Sequence, residues 1–369
     1  MVRKSLKSIL VAVFSVILLG FSGSVTAQEG HGAKHESGAE AEFDAGQAIL
    51  HHIADSHEWH FFSLGDSHFT LPLPVILYSP QRGLSIFSSS RFHHGEEVYN
   101  GYKNEHDHIV AVNEAGQEDP AVTVYDLSIT KNVAQMLLGA LLLVLIMNSV
   151  AGKYKQHGAG KAPSGLQNAI EPLVTFIRDD VARPNLGHKY QKYMPYLLTV
   201  FFFILINNII GLFPGSANVT GNIAFTALLA VISFVVILFS TNGHFWGHIF
   251  WPPGVPILVK LILIPVELLS IFIKPAALMI RLFANMTAGH IVILSFVSLI
   301  FIFGNMSSVA GWGFSLVSMA FAVFIYVIEI LVAFIQAFIF TNLTAVFIGQ
   351  AFEGEHAHDD AHGHTAKAH

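Results

Sequence analysis

The sequence predicts an all-α polytopic membrane protein of about five membrane helices, with a small N-terminal extramembrane domain that contains short strands. Three observations support this fold class. Of the 369 residues, 53% are hydrophobic and only 12% are charged, whereas soluble domains carry about 25% charged residues. Apolar segments long enough to cross a bilayer recur through the C-terminal part. Before them lie short β-branched and aromatic runs between Pro and Gly residues.

Residues 1–27 have the features of a secretory signal peptide. Basic residues precede an apolar run from Ile9 to Phe21, and small residues follow up to Ala27. This order predicts a cleaved signal, and the alternative is an uncleaved first membrane anchor, for which the run is short. Either interpretation delivers the next residues outside the cytoplasm. Residues 28–44 are rich in Glu, Gly, Ala and His, which predicts a disordered linker.

Residues 45–130 predict a small extracytoplasmic domain. The runs Thr70 to Tyr78 and Gly83 to Ser88 mix β-branched and aromatic residues between Pro and Gly, which indicates short strands. The domain carries no recognisable chemical motif, so its composition predicts a fold and no function.

Residues 131–352 predict the membrane domain, and its loops indicate the orientation. Three apolar segments run from about Val133 to Val150, Tyr196 to Phe213 and Ile223 to Phe239. The loop between the first two is basic, while the turn from Pro214 to Gly221 carries no Lys or Arg. Basic loops stay in the cytoplasm, so the N-terminal domain is expected outside. Within the basic loop, Leu166 to Val181 predicts an amphipathic surface helix that ends near Pro184.

Two further apolar segments are too long to stand upright in a bilayer. They run from about Val255 to Phe303 and from about Trp312 to Phe352. As continuous helices they would measure about 70 and 60 Å, against a hydrocarbon core of about 30 Å. They must therefore tilt steeply or break. Possible breaks in the first are Pro256, Pro265, Pro275 and Gly289.

Arg281 is the most informative residue of these segments. A charge at the bilayer centre costs about 2.5–3.5 kcal/mol, so a charged residue there is expected to have a role that offsets this cost. An arginine does not lose its proton in a protein, which makes Arg281 a fixed electrostatic gate rather than a proton carrier. An internal salt bridge between helices is the alternative. The polar residues on its helix face are Glu267, Lys274, Arg281 and Asn285, and the small residues near that face are Ala277, Ala284 and Ala288.

A second set of polar residues suggests a proton relay. Glu329 and Gln336 share a face of the last segment, and His290 lies opposite Arg281 on an ideal helix. A carboxylic acid and an imidazole both exchange protons near neutral pH. The alternative for His290 is a core histidine whose hydrogen bonds are satisfied.

Other function classes fit the sequence less well. The net charge of −6 argues against nucleic-acid binding, and the absence of cysteine excludes thiolate chemistry. Histidine-rich flanks, including the tail 353–369, raise a metal-ion transporter as the main alternative. A metal-ion transporter would need several histidine or carboxylate ligands within the spans, and a haem or quinone subunit would need paired histidines there. The spans hold only one histidine, His290. A purely structural subunit would leave the cost of Arg281 unexplained.

Two stretches of the chain closely resemble subunit a of F-type ATP synthase. The first runs from Pro265 through Arg281 to His290, and the second from Gln336 to Phe340, followed by Leu343 and Thr344, with Glu329 upstream. Family features also occur at Glu171, at Phe176 to Asp179 and from Asn207 to Pro214. The resemblance covers roughly residues 132–352.

The resemblance implies a role for each matched residue. Arg281 would be the arginine that faces the rotating ring of c subunits, with the two long helices tilted against that ring. His290 and Glu329 would line the inlet half-channel, in the reverse order of acid and imidazole to some family members. Gln336 and Asn285 would flank Arg281, and Glu267 would belong to the exit side.

The resemblance also implies the setting of the chain. It would be a multi-pass protein of the bacterial inner membrane, surrounded by lipid, with protons as the transported ion. Its partners would be the c-subunit ring, the peripheral stalk of b subunits and the other ATP synthase subunits. It would need no cofactor and would catalyse nothing by itself. The histidine-rich tail would be cytoplasmic. The tail and the N-terminal domain have no counterpart in the family pattern.

Overall fold

The structure is a computed structural model of the chain. The predicted signal peptide, the predicted linker and the histidine-rich tail lie outside the described residues. The structure describes residues 46, 49, 54–64, 67–95, 97–105, 107–113, 116–158, 162, 164–213, 215–241, 243–251 and 256–351.

Short antiparallel strands form the N-terminal domain, as the sequence predicts. The three small sheets are β1 (Glu58–Leu64) with β2 (Ser67–Pro72), β3 (Pro74–Ser79) between β4 (Gly83–Ser88) and β7 (Tyr125–Asp126), and β5 (Tyr102–Glu105) with β6 (His108–Ala111). The predicted run from Thr70 to Tyr78 divides into two strands at Leu73. Prolines on both sides of Leu73 lack an N–H for the ladder, and Leu73 N donates to Ser89 Oγ at 3.0 Å instead.

Alternation along β3 builds the core of this domain. Val75 and Leu77 are fully buried, whereas Tyr78 is exposed on the opposite face. Phe87 lies edge-on against Phe92, with ring centroids 5.3 Å apart. The core residues are Val75, Leu77, Phe92, Tyr102, Ile109 and Ala111.

The segment before β1 bonds to the start of the first helix, α1 (Lys131–His157). Asp55 accepts hydrogen bonds from Thr130 Oγ1 at 2.9 Å and from Asn132 N at 3.2 Å. Ser56 O accepts from Lys131 N at 2.9 Å. A carboxylate at a helix start satisfies free N–H groups and meets the positive end of the helix dipole. The domain is therefore fixed to the first turn of α1.

His57, in the same segment before β1, bonds to Asp126 of β7, with Nε2 and Oδ2 2.7 Å apart. Burial lowers the pKa of His57, but the hydrogen bond and charge of Asp126 raise it by more, so the net shift is upward. Burial raises the pKa of Asp126, and hydrogen bonds from His57 and Ser128 lower it below its usual value. The pair therefore stabilises the fold while His57 is protonated and Asp126 is ionised.

The stability that the His57–Asp126 pair gives to the domain should depend on pH. Because the pKa of His57 is raised, its contribution is complete below the unfolded value of about 6.5 and is lost as pH rises through the folded value. Asp126, whose pKa is lowered, contributes above about pH 3.8 and loses its contribution only in stronger acid. We expect protease digestion of the domain in the full chain to accelerate above neutral pH. A His57→Asn variant with the same pH dependence as the unchanged chain would contradict this expectation.

A broken helix precedes the second span. It consists of α2 (Leu166–Phe176), a π-helical turn (Ile177–Ala182) and α3 (Arg183–Leu186), and α4 (Tyr190–Gly211) follows. The helix ends at Leu186, two residues after Pro184, which agrees with the predicted end near that proline. Pro184 lies in the first turn of α3, where its missing N–H costs no hydrogen bond. Helix α3 ends at Gly187, whose φ of 53° lies in the left-handed region that glycine adopts without strain.

Four more helices follow in the described part of the chain. Of the described residues, five helical segments are long and apolar enough to cross a bilayer: α1, residues 166–211, α5, α7 and α8. This confirms the predicted number of about five. The helices are α5 (Ile223–Ser240), the unpredicted α6 (Gly243–Phe250), α7 (Ile257–Met306) and α8 (Ser308–Gln350).

The two long helices are continuous. At 50 and 43 residues, they extend about 75 and 65 Å, so they cannot stand upright across about 30 Å of hydrocarbon. The possible break at Pro256 is where α7 begins, since Pro256 O accepts from Val259 N and Lys260 N. The helix continues through Pro265, Pro275 and Gly289, as membrane helices tolerate internal proline.

The chain has two compact units. One contains the N-terminal domain, the first turn of α1, residues 215–217 and residues 294–319. The other contains the remaining helical residues, from Met136 to Phe213, from Asn218 to Ile293 and from Ala320 onward. All polar residues singled out below in α7 and α8 belong to the second unit.

Candidate functional site

Helix α7 has an inner and an outer stripe around Arg281. Leu278, Leu282 and Met286 are 3%, 1% and 0% exposed, so this stripe packs inside the second unit. Arg281 and Asn285 are exposed on the adjacent stripe. No ion pair joins Arg281 to another described residue of the chain, so the described part offers no support for an internal salt bridge. The guanidinium is presented on an open surface of α7.

Small residues surround this exposed cation. Ala277, Ala284 and Ala288 are exposed on the same side of α7. Small side chains let a neighbouring helix approach the backbone closely.

His290 lies on the inner side of α7, as the helical spacing from Arg281 predicts. Its Nδ1 is 2.9 Å from Met286 O and its Nε2 is 3.0 Å from Gly211 O at the end of α4. Both partners are hydrogen-bond acceptors. A neutral imidazole can donate to one of them and an imidazolium to both. The ring therefore has an acceptor beside whichever nitrogen carries the proton.

Glu329 on α8 is only 5% exposed, and its Oε2 has no hydrogen-bond partner among the described residues. Its carboxylate lies against the backbone of Gly289. A Cβ at Gly289 would overlap Glu329 Oε1 and the carboxyl carbon, so no larger residue fits there without a shift. The structure thus brings the acid against the residue that directly precedes His290.

The other predicted site residues are spread along the same two helices. Gln336 is 5% exposed and lies on the buried face of α8 with Ala333 and Glu329, whereas Asn285 is exposed on α7. No hydrogen bond between Gln336 and Arg281 is seen in the described part. Glu267 is exposed near the start of α7, and its carbonyl oxygen accepts from Ser270 Oγ at 2.8 Å.

Lys274 on the same face of α7 is engaged elsewhere in the second unit. Its Nζ donates to Gln350 Oε1 at 3.1 Å and lies 5.0 Å from the ring centroid of Phe347. These contacts join α7 to the end of α8. They leave Arg281 as the cation presented beside Asn285.

Buried amides and hydroxyls that contact α7 and α8 extend the set of polar residues in the second unit. Asn208 is fully buried and donates to Ala333 O at 3.2 Å, and Asn218 donates to Met286 O at 3.3 Å. The side-chain oxygens of Asn207, Asn208 and Thr220 are buried without a protein partner among the described residues. Buried polar atoms ordinarily bond water when no protein group is available. The Asn207–Asn208 pair inside an apolar span is the sequence signal that points to this lining.

In the described part of the chain, no three His, Cys, Asp or Glu side chains lie close enough together to hold a metal ion. The polar site in the second unit therefore consists of the His290 imidazole, the Glu329 carboxylate and the amides near them.

Two protein families match the chain. The family model described as "ATP synthase A chain" matches residues 133–349, which is more than half of the chain. A second family, described as "Domain of unknown function (DUF8433)", matches residues 48–127. The second match coincides with the strand-rich domain, and the first covers every helix that carries a predicted site residue.

Curated relatives agree with the first match. The chain is 49% identical over 246 residues to the ATP synthase subunit a of Chloroherpeton thalassium, covering 65% of this chain and 72% of the relative. It is 37% identical over 372 residues to the ATP synthase subunit a 2 of Prosthecochloris aestuarii, covering 96% of this chain and 98% of the relative. It is also 42% identical over 263 residues to the subunit of Myxococcus xanthus. The chain therefore belongs to the ATP synthase subunit a family.

Proposed function

We propose that this membrane subunit of ATP synthase conducts protons through two half-channels separated by Arg281, and that it couples their flow to rotation of a ring of c subunits. One observation carries the proposal. Arg281 is exposed on an outer stripe of α7 without an ion pair in the described chain, while His290 is half-buried and Glu329 of α8 is buried against Gly289. The fixed charge and the exchangeable groups thus lie on different sides of α7.

Protons enter from the outer side through the Glu329 and His290 pair. Glu329 Oε2 is free of protein partners in the described part and can accept a proton from water. The ring nitrogens of His290 lie beside the carbonyl oxygens of Met286 and Gly211. These carbonyls only accept hydrogen bonds, so they orient the ring, and the ring takes its proton from water and returns it to water. The Asn207 and Asn208 side chains provide polar surface for the water that such a path needs.

Arg281 acts on the carboxylate of the ring. A protonated ring carboxyl can turn into lipid as a neutral group, and on return Arg281 stabilises its charged form, so the proton is released. The fixed positive charge also repels a proton that would pass directly between half-channels. Each charge that crosses contributes about 2.3 kcal/mol per 100 mV of membrane potential, which drives rotation. Asn285 lies beside Arg281 at this contact, whereas Gln336 lies on the buried face of α8.

The released proton leaves toward the cytoplasm past Glu267. The basic loop between α1 and α4 places that side in the cytoplasm and the N-terminal domain outside. The tail after α8 is then cytoplasmic as well. The c ring contacts the outer stripe of α7, and the b subunits of the peripheral stalk hold the subunit still while the ring turns.

An exchange of the two relay residues tests the proposal. His290→Ala and Glu329→Ala should each lower ATP-driven proton pumping by about tenfold or more, because a positioned acid or base typically contributes at least this much. The double variant His290→Glu with Glu329→His restores one acid and one imidazole, so it should pump faster than either alanine variant. Equal loss in all three variants, at equal amounts of assembled complex, would count against a relay.

A further inference from the structure

The three-stranded sheet of the N-terminal domain turns one side to the core and the other side outward. Strand β3 lies at its centre, with β4 on one side and β7 on the other. Tyr78 lies opposite both Leu84 and Tyr125 in the antiparallel ladder, so the three side chains form one row on the outward side. The two tyrosine rings of this row stack, with centroids 6.3 Å apart.

A second row of apolar side chains lies beside the first. Ile76 is opposite Ile86 of β4, and Ile76 O accepts a hydrogen bond from Leu127 N at 2.9 Å. The ladder thus continues past β7, and Leu127 points to the same side as Ile76 and Ile86. These two rows are called the apolar face below.

The apolar face is open to the outside in the described structure. Leu84 and Ile86 are 62% and 65% exposed, and Tyr78, Tyr125 and Leu127 are each 44–46% exposed. No residue in either row is charged. Single exposed apolar residues are ordinary on a protein surface, but a contiguous apolar patch of this kind marks an interaction site.

The position of the apolar face in the chain indicates what covers it. A third row, in which Pro74 O accepts from Ile129 N at 3.1 Å, joins the sheet to the residues before α1. Lys131 begins α1 two residues after Ile129, and the apolar run of α1 starts at Val133. The sheet and the first turn of α1 belong to the same compact unit. The bilayer that α1 enters is therefore the apolar phase to which the face is directly joined.

We propose that the apolar face lies on the surface of the lipid bilayer. Tyrosine rings are enriched at membrane–water interfaces, where the ring is in contact with apolar groups and the hydroxyl with water. The stacked Tyr78 and Tyr125 rings would lie at the headgroups, with Leu84, Ile86 and Leu127 against the acyl chains. Because the face has no charge, burial of apolar surface drives this contact and no particular headgroup is required.

The proposal fixes how the sheet lies on the membrane. Rows two residues apart are separated by about 7 Å, so the Tyr78 row is about 14 Å from the Pro74 row. The headgroup region is only about 5–8 Å thick on each side of the bilayer. An upright sheet would hold the first row in water, so the sheet must lie along the surface. The strand-rich domain thus gives the subunit a second contact with lipid, whether or not the proposed proton path is correct.

A spin label at the far edge of the sheet tests this arrangement. The chain contains no cysteine, so Leu84→Cys provides one thiol for a nitroxide, in a complex whose other subunits carry no reactive thiol. The assembled ATP synthase is placed in phosphatidylcholine vesicles. Collisions of the label are measured with oxygen, which concentrates in lipid, and with a polar nickel chelate, which stays in water.

Gln117→Cys is the matched control. Gln117 is exposed in the turn after β6 and lies outside the apolar face. Collisions with the chelate should be at least about tenfold fewer at residue 84 than at residue 117, because excluding a polar solute from an apolar phase exceeds this factor. Collisions with oxygen should be more frequent at residue 84. Both side chains are exposed, so the amount of assembled complex should not change.

Leu127→Cys separates the sheet from its connection to α1. This residue lies four positions before Lys131, so a label there should also be shielded from the chelate and open to oxygen. Shielding at residue 127 with free access of the chelate at residue 84 would overturn the proposal, since the sheet would stand away from the bilayer. Shielding of residue 84 from both reagents would overturn it as well, because a second copy or another protein would cover the face. Equal shielding at residues 84 and 117 would show no preference for the apolar face and would also contradict it.

Discussion

Arg281→Lys is expected to lower ATP-driven proton pumping by at least about tenfold, although it keeps a basic residue, because 1.4 kcal/mol of lost stabilisation already has that effect. A lysine in a dry site can lose its proton and lacks the planar fork that binds a carboxylate in two places. Arg281 is exposed on α7 and has no ion pair within the described chain, so under the proposed function the substitution acts on the ring contact. Pumping is measured by acidification of inverted vesicles at equal amounts of assembled complex.

Lys274→Arg is the matched control for this variant. It exchanges the same two residue types on the same face of α7, and an arginine can still reach Gln350 and the ring of Phe347. Pumping should be retained. Full pumping by Arg281→Lys would contradict the role of Arg281 as a permanently charged gate.

Gly289→Ala is expected to reduce proton flux by at least about tenfold, because a loss of about 1.4 kcal/mol of stabilisation already has that effect. The added Cβ would overlap the Glu329 carboxylate, so the acid must move away from its position against Gly289. Alanine favours a helix over glycine by about 1 kcal/mol, so a loss of flux would not come from a weakened α7. Proton flux is measured in vesicles together with the amount of complex.

Gly304→Ala provides the control within the same helix. A Cβ at Gly304 has no neighbour within 4 Å, so this variant gains the helix preference without a clash. Glu329→Asp combined with Gly289→Ala should recover part of the flux, because the shorter acid leaves room for the methyl group. Normal flux in Gly289→Ala alone would show that the position of Glu329 does not matter.

The sequence predicts the fold class well because each span is an independent apolar segment. Hydropathy and length locate the five candidate spans of the described residues. Pro and Gly boundaries locate β3, β4 and part of β2, whereas the sequence does not predict β1, β5, β6 and β7. Proline does not by itself mark a break inside a span, because α7 continues through Pro265 and Pro275.

The site is only partly predictable from the sequence. Helical periodicity places Arg281 and His290 on opposite sides of α7, and the structure has this arrangement. The contacts of His290 with Gly211 and of Glu329 with Gly289 arise from packing between α4, α7 and α8, which no periodicity encodes.

The most direct test of the central claim compares wild type with Arg281→Ala in the same vesicles. ATP-driven proton pumping is recorded with the catalytic head attached, and passive proton conductance is recorded after the head has been stripped off. We expect the variant to lose pumping driven by ATP hydrolysis, while any remaining conductance is uncoupled from rotation, because no fixed charge separates the half-channels. If pumping and conductance are both unchanged in Arg281→Ala, the arginine is structural and the proposed mechanism is wrong.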